Sequence, residues 1–458
     1  MNDDHVSRRR LLAASLGAAA ALPLAAACAS PTGSPGNGNS GNEFESPNVT
    51  DAPSARNVRD FGAVGDGIAD DTAAIARACA GSAGPLVLYI PAGTYRVTEW
   101  PQLSDYATVL GDGRDATTIE YDGDRPLINL RGVHRVSFAR LDIYVTGTNG
   151  AAVSLSGCFR CSFDSVVLRG GHVSENYPEF AEQRGVILDE NTGGTAFINC
   201  DIGNFGYGLT TSCIQNYVTS SKFASNYIGV LGTGNDHNAG LSMVNVEFVS
   251  DTDPNTTDKH VLIDGAANDW WFTNVWFEGA DVAMSVGDLD RGGPAQFGLV
   301  NCKIAAITVC VDFVYCRQPY LANIQFDSDT DSPAVELRID PRGCPEGTAV
   351  NLLSSTSSDV DPTSFPKGWN VTGRGRISGA TFVGTVSTVA GSDNADLLQA
   401  QDSEGRVLSA VLANGAWLSE RPDSGVILKD SANKYWRISV STDGSLETSP
   451  LGEQRPSG

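Results

Sequence analysis

One column of residues limits what this chain can fold into. Arg140, Ser165, Asn199, Ser220, Asn245, Asn274, Asn301 and Asn323 follow one another at spacings of 25, 34, 21, 25, 29, 27 and 22 residues. Each opens a short run: RLDI, SVVL, NCDI, SSKF, NVEF, NVWF, NCKI, NIQF. The first and third residues after the column are apolar in every run except at Ser221. That alternation marks a strand with one buried face. A second strand follows most runs, as in AAVSL, GVILD, YGLTT, HVLID and TVCVD. A unit of about 26 residues that cannot bury its apolar face alone must stack on copies of itself. The pattern predicts a parallel β-helix with rungs about 4.8 Å apart. Asparagine suits the column because it tolerates left-handed turns, and stacked amides can bond from rung to rung.

The stretch DFGAVGDGIADDTAAI, Asp60 to Ile75, opens the ordered chain. Its four aspartates and three glycines look like a metal or phosphate loop, but no G-K-[ST] follows. The glycines fit a turn after a strand. Asp70 or Asp71 fits a helix N-cap before TAAIARACA, with Ile75 and Cys79 on one helix face. PLVLYIPAGTYRV continues as strand, turn and strand.

VRDFGAVGDGIADDTAAIARACA followed by PLVLYIPAGTYRV resembles the opening of pectate-lyase-3-type, rhamnogalacturonase/epimerase-like proteins of the pectin-lyase-like superfamily. The resemblance implies an all-β fold: a right-handed parallel β-helix with a short N-terminal capping helix. It also implies a polysaccharide partner. Superfamily members include lyases, hydrolases, epimerases and phage tailspike depolymerases, so it does not fix the reaction. The hydrolase order N-T-D, D-D, G-H-G, R-I-K is missing. NCD at Asn199 to Asp201 is a partial echo, and Gly171-His172 precedes it.

Around the coil the sequence divides into further parts. Residues 1–28 carry Arg8, Arg9 and Arg10 before an Ala-rich apolar run, which resembles a twin-arginine export signal. Two cleavage readings stay open: a lipobox that makes Cys28 a lipid anchor, or an A-x-A site ending at Ala29. Residues 29–56 read as a flexible linker and 57–350 as the β-helix. Residues 351–393 are a Ser/Thr/Gly-rich connection. Residues 394–458 form a small C-terminal β domain of two similar units, with hairpin turns at Asn414-Gly415 and Asp443-Gly444. The expected location is secreted, or tethered to the outer face of the cell membrane. A formal net charge of −23 with no Lys/Arg-rich block excludes nucleic acid as a partner. The cysteines carry no zinc spacing; Cys158 and Cys161 form a lone C-x-x-C and read as core.

Candidate chemistry sits on outward columns. Position two of the runs gives Asp142, Val167, Asp201, Lys222, Glu247, Trp276, Lys303 and Gln325. Asp201 and Glu247, two rungs or roughly 10 Å apart, suit acid and base of an inverting hydrolase. Lys222 between them suits proton abstraction in a lyase, and Trp276 offers a flat face to a sugar. A solvated sheet face with alternating charges is the plainer alternative. The second strands give an acidic column of Asp189, Thr210, Asp264 and Asp312, with Asp288 beside it. Asp264 has the better context because Trp270 and Trp271 follow. Glu278 in WFEG and the loop residue His237 read as turn and surface. The catalytic candidates are thus Asp201, Glu247, Asp264 and Lys222; the substrate-binding candidates are Trp276, Trp270 and Trp271. No cofactor is expected, calcium being the one ion such carboxylates could hold. The expected activity is polysaccharide lyase or glycoside hydrolase. The rivals are a non-catalytic glycan-binding adhesin or spike and a prophage tailspike-like depolymerase, as a monomer or homotrimer.

Overall fold

The computed structural model describes residues 55–81, 85–234, 240–355, 365–373, 376–378, 396–402, 406–421 and 425–456. The expectations for residues 1–54, Cys28 among them, and for His237 fall outside this set. Among the described residues no helix is long and apolar enough to cross a membrane.

The chain winds into a right-handed parallel β-helix of about 12 turns. One rung serves as an example. Strand Gly240–Val244 reaches the corner residue Asn245, turns into strand Glu247–Val249, and returns through strand Lys259–Ile263. Strands before and after the corners form one continuous sheet; the returning strands form a separate nine-stranded sheet. The predicted column is the corner. All eight of its members are left-handed, with φ between 49° and 57°, and Asn351 joins them at 53°. Asn274 Nδ2 donates to Asn245 Oδ1 at 2.6 Å, Asn323 to Asn301 at 3.0 Å and Asn351 to Asn323 at 2.9 Å. An αL residue costs roughly 1–2 kcal/mol unless its side chain is compensated locally. The ladder supplies that compensation and explains why the column is mostly asparagine.

Inward side chains stack in register. Phe138, Phe163 and Phe197 lie 5.2 and 5.0 Å apart, and Phe223, Phe248 and Phe277 lie 4.8 Å apart at each step. These spacings follow the rung repeat, so each ring packs on the next. All nine described cysteines are free, and eight are buried in or beside this core.

Helix α1, Thr72–Cys79, lies at the N-terminal end and buries Thr72, Ala74, Ile75 and Ala78. Asp71 holds the N-cap position but its carboxylate does not cap the helix. It turns back to accept the N–H groups of Val64 at 2.7 Å and Gly65 at 3.1 Å, while Asp70 accepts from Thr72 N at 2.9 Å. The buried Asp71 thus ties the glycine turn to the cap; Gly65 sits there at φ 67°.

The coil runs further than residue 350. Strand Gly368–Gly373 pairs in parallel with Glu346–Ser354, which adds a rung inside the expected connection. Beyond it lie two three-stranded antiparallel sheets, Leu398–Gln401 with Val407–Val411 and Trp417–Ser419, then Val426–Lys429 with Tyr435–Val440 and Leu446–Gly452. Gly415 and Gly444, at φ 83° and 85°, make the expected hairpin turns.

Candidate functional site

The position-two column stacks as the sequence implies. Asp142, Val167, Asp201, Lys222, Glu247, Trp276, Lys303 and Gln325 pair one rung to the next. Each side chain there has a local partner or faces solvent. Arg114 forms an ion pair with Asp201. Trp276 lies under the Lys303 ammonium at 4.5 Å and donates its indole N–H to Glu278 at 2.8 Å. Glu247 is exposed. The one-residue corners leave that edge without loops except at residues 112–116, whose Arg114 and Asp115 bond to Asp201 and Asp142.

Asp142, at the head of the column, is the residue that site reasoning passed over. One carboxylate oxygen accepts the Asp115 N–H at 2.7 Å; the other is buried without a partner. Burial raises its pKa, against the Asp115 hydrogen bond. It lines a hollow of about 390 Å³ with Thr118, Val167 and Arg169. The signal in the sequence was its place in the column, next to apolar Val167.

The second acidic column does not form. Thr210 connects through Leu231, Leu262 and Ser285 to Asp312, but Asp189 pairs with Ser156, and Asp264 lies past the end of its strand. Asp189 and Asp264 lie two residues beyond Ile187 and Leu262, the positions that fall in the column of Thr210 and Asp312. Asp312 is held by Arg338 at 2.9 and 2.5 Å, which makes a structural pair. Trp270 is fully buried and offers no face to a sugar; its neighbour Trp271 points outward.

The nine-stranded sheet differs from the corner edge because longer connections lie on both its sides. Segments 170–183 and 250–258 precede strands Arg184–Asp189 and Lys259–Ile263, and 287–293 follows Val282–Val286. Inserted segments beside a rigid sheet are where sites are commonly built. They are pinned here: His172 donates Nε2–H to the Thr256 carbonyl at 2.9 Å, joining the first two. Gln183 donates to the carbonyls of Val145 and Gly147 at 2.9 and 2.8 Å.

On this sheet Arg184 lies over the Tyr207 ring at 4.5 Å and donates to Thr210 at 3.1 Å. Burial raises the Tyr207 phenol pKa, and the Glu182 and Asp264 charges add to it while Arg184 opposes it. Asp264 pairs with Arg291 at 2.9 Å through one oxygen, and its other oxygen is buried without a partner. Tyr177 donates to Tyr227 at 3.0 Å, and burial together with that bond raises the Tyr227 phenol. The sheet therefore stacks a cation on a phenol, with the Asp264 carboxylate near enough for its charge to act on that phenol. Of the candidates named from sequence, Asp264 is the one it includes. Arg184 and Tyr207 were missed because GVILD and YGLTT read as plain strands. Among the described residues no three carboxylate, imidazole or thiol groups converge as a metal site.

Residues 55–156 match the family described as rhamnogalacturonase A/epimerase, pectate lyase-like. That match covers the first rungs of the β-helix, about a fifth of the chain. Its curated relatives are mannuronan C5-epimerases of Azotobacter vinelandii. AlgE5 is 55% identical over 51 residues, which is 11% of this chain and 5% of that protein. AlgE4 is 48% identical over 59 residues, 12% of this chain and 11% of that protein. The chain thus spans 4 to 11% of the length of the curated relatives it matches. Solved structures of similar winding include an exopolygalacturonase from Thermotoga maritima, at TM-score 0.46 and 10% identity, covering 72% of this chain and 93% of that one. Another is ORF18 of Geobacillus virus E2, at TM-score 0.45 and 15% identity, covering 88% and 75%.

Proposed function

We propose that the protein is an exported enzyme acting on an extended, uronate-bearing polysaccharide along the outer face of the nine-stranded sheet. One observation carries this reading: Arg184 stacks on Tyr207 on the outer face of the sheet, and Asp264, just past the end of strand Lys259–Ile263, is near enough for its charge to act on the Tyr207 phenol. The epimerase and polygalacturonase names of similar proteins support a uronate substrate. Proton removal beside a uronate carboxylate needs that carboxylate neutralised, a base, and an acid for the leaving oxygen. Arg184 supplies the cation. Asp264 takes the C5 proton on its exposed oxygen, the one beside Arg291, its other oxygen being buried. The C4–O bond breaks, and Tyr207, its phenol held neutral, passes its proton to the departing oxygen. The product carries a C4–C5 double bond. Return of a proton to C5 without bond cleavage would give epimerisation at the same site.

The test is direct. The mature protein is incubated with alginate, polygalacturonate and neutral glycans, and ultraviolet absorbance, reducing ends and C5 configuration are followed. Absorbance that grows with wild type and drops at least about a hundredfold in Tyr207→Phe and Arg184→Ala supports the reading, in line with the usual worth of general acid catalysis. New reducing ends without absorbance would indicate hydrolysis. The second reading, binding without turnover, is favoured by the ion pairs already made by Arg184 with Glu182 at 3.8 Å and by Asp264 with Arg291. Tight binding of a glycan that is never altered would support it.

A further inference from the structure

A second hollow lies on a different sheet, on strands that precede the corners. Trp271 and Tyr320 are both more than a third exposed there, their ring centroids 6.2 Å apart. The rung between them carries Gly298, paired directly with Trp271 on one side and Tyr320 on the other. A Cβ at Gly298 would fall inside contact distance of the indole Cε3 and Cζ3. The indole therefore lies flat across the glycine, and only a residue without a side chain allows that pose. Gly298 does not need its backbone freedom, since its φ is not in the left-handed region. What it provides is space for a ring.

Trp271 and Tyr320 floor a hollow of about 440 Å³, walled by Gln296, Gln318, Glu346 and Thr348. Gln296 donates to Gln318 at 3.4 Å, so the two amides stand in file along one wall. No lysine or arginine lines it. A flat apolar floor with amide, hydroxyl and carboxylate groups on the sides matches one face of a pyranose ring and its edge hydroxyls. The lack of a cation, with Glu346 in the wall, disfavours an acidic sugar. Gln296, Gln318 and Glu346 also line an adjoining hollow of about 410 Å³ that holds Arg317 and Arg342, the latter paired with Asp340, so the cation-free surface is that of the first hollow alone.

We infer that Trp271, Gly298 and Tyr320 form a binding site for a neutral oligosaccharide, separate from the face proposed for the reaction. It would hold a neutral stretch of glycan while the nine-stranded sheet works elsewhere on the polymer. The inference rests on reading the chain as glycan-acting, and the experiment keeps the two claims apart.

Full-length protein is titrated with cello-, manno-, xylo- and maltohexaose, followed by tryptophan fluorescence and calorimetry. At least one hexaose binds wild type. Gly298→Ala, which displaces the indole without touching a polar group, weakens it at least about tenfold with no change in thermal unfolding, and Trp271→Ala does the same. Trp417→Ala, an exposed tryptophan on a C-terminal sheet, leaves binding unchanged. Arg184→Ala also leaves it unchanged. Failure of every hexaose to bind overturns the inference. So does binding that survives both Gly298→Ala and Trp271→Ala, or that is lost in Arg184→Ala. Turnover that survives Arg184→Ala and Tyr207→Phe would sink the proposed reaction and leave this site standing.

Discussion

Acid should weaken this fold through one histidine. His260 sits on the returning strand Lys259–Ile263 with its imidazole pointing into the coil, 2% exposed. The ring packs against Phe248 at 5.6 Å and Phe277 at 6.2 Å, and Nε2–H donates to the Glu278 carbonyl at 2.8 Å. Burial holds its pKa down to about 4, against 6.5 when free, and the Glu278 bond only partly offsets this. Between those values the unfolded chain binds a proton that the folded chain refuses. Stability is therefore intact above pH 6.5, falls as pH drops, and is lost to the full extent below about 4. A gap of about 2.5 pH units at about 1.4 kcal/mol each is worth about 3 kcal/mol, set against a typical total of 5–15. Urea unfolding of wild type and His260→Gln at pH 7.5, 6, 5 and 4 measures it. Every other titrating group is common to both proteins, so the difference between the curves isolates His260. The variant should lose less stability by about 3 kcal/mol across the range. Parallel curves would refute the reasoning.

The corner ladder predicts that Asn274→Ala costs about 2 kcal/mol, from αL strain plus a lost amide bond, and that Asn274→Gly costs less; urea midpoints decide. Asp71→Ala leaves the Val64 and Gly65 N–H groups without their acceptor and should cost about 3 kcal/mol, read by thermal unfolding, with Asp71→Asn milder. Asp142 has a raised pKa, so its contribution is present below the unfolded value and lost as pH rises through the folded one. Asp142→Asn should therefore be more stable than wild type at pH 7 and no more stable at pH 3, again by urea.

Much of the scaffold could be read from the sequence because its rules are local. A one-residue αL corner admits few residue types, so Asn245, Asn274, Asn301 and Asn323 announced it. The alternation after each corner then gave the correct pairing of Asp201, Lys222, Glu247 and Trp276. The returning strands had no such marker. Their register depends on turns of unequal length, so Asp189 and Asp264 fall two residues away from the column of Thr210 and Asp312. Trp270 and Trp271 show the same limit at one step. Alternation says that one faces inward, and only the neighbouring rungs say which. Leu241 and Phe297 beside Trp270, and Ser242 and Gly298 beside Trp271, settle it. The candidate site was least legible because Arg184, Tyr207 and Asp264 come from three separate rungs, and nothing within any one rung links them.

The single-residue corner also determines where this architecture can change. A turn that short, cross-braced to its neighbours, leaves no room for insertion, because one added residue would flip the following strand inside out. Apart from residues 112–116, length variation falls on the two remaining edges, and both of those border the nine-stranded sheet. Segments such as 170–183 could be exchanged, lengthened or grafted one rung at a time without disturbing the stack that carries them. The stiff edge is what makes the opposite face modular. New substrate preferences would be sought by transplanting those segments while leaving the asparagine spine untouched.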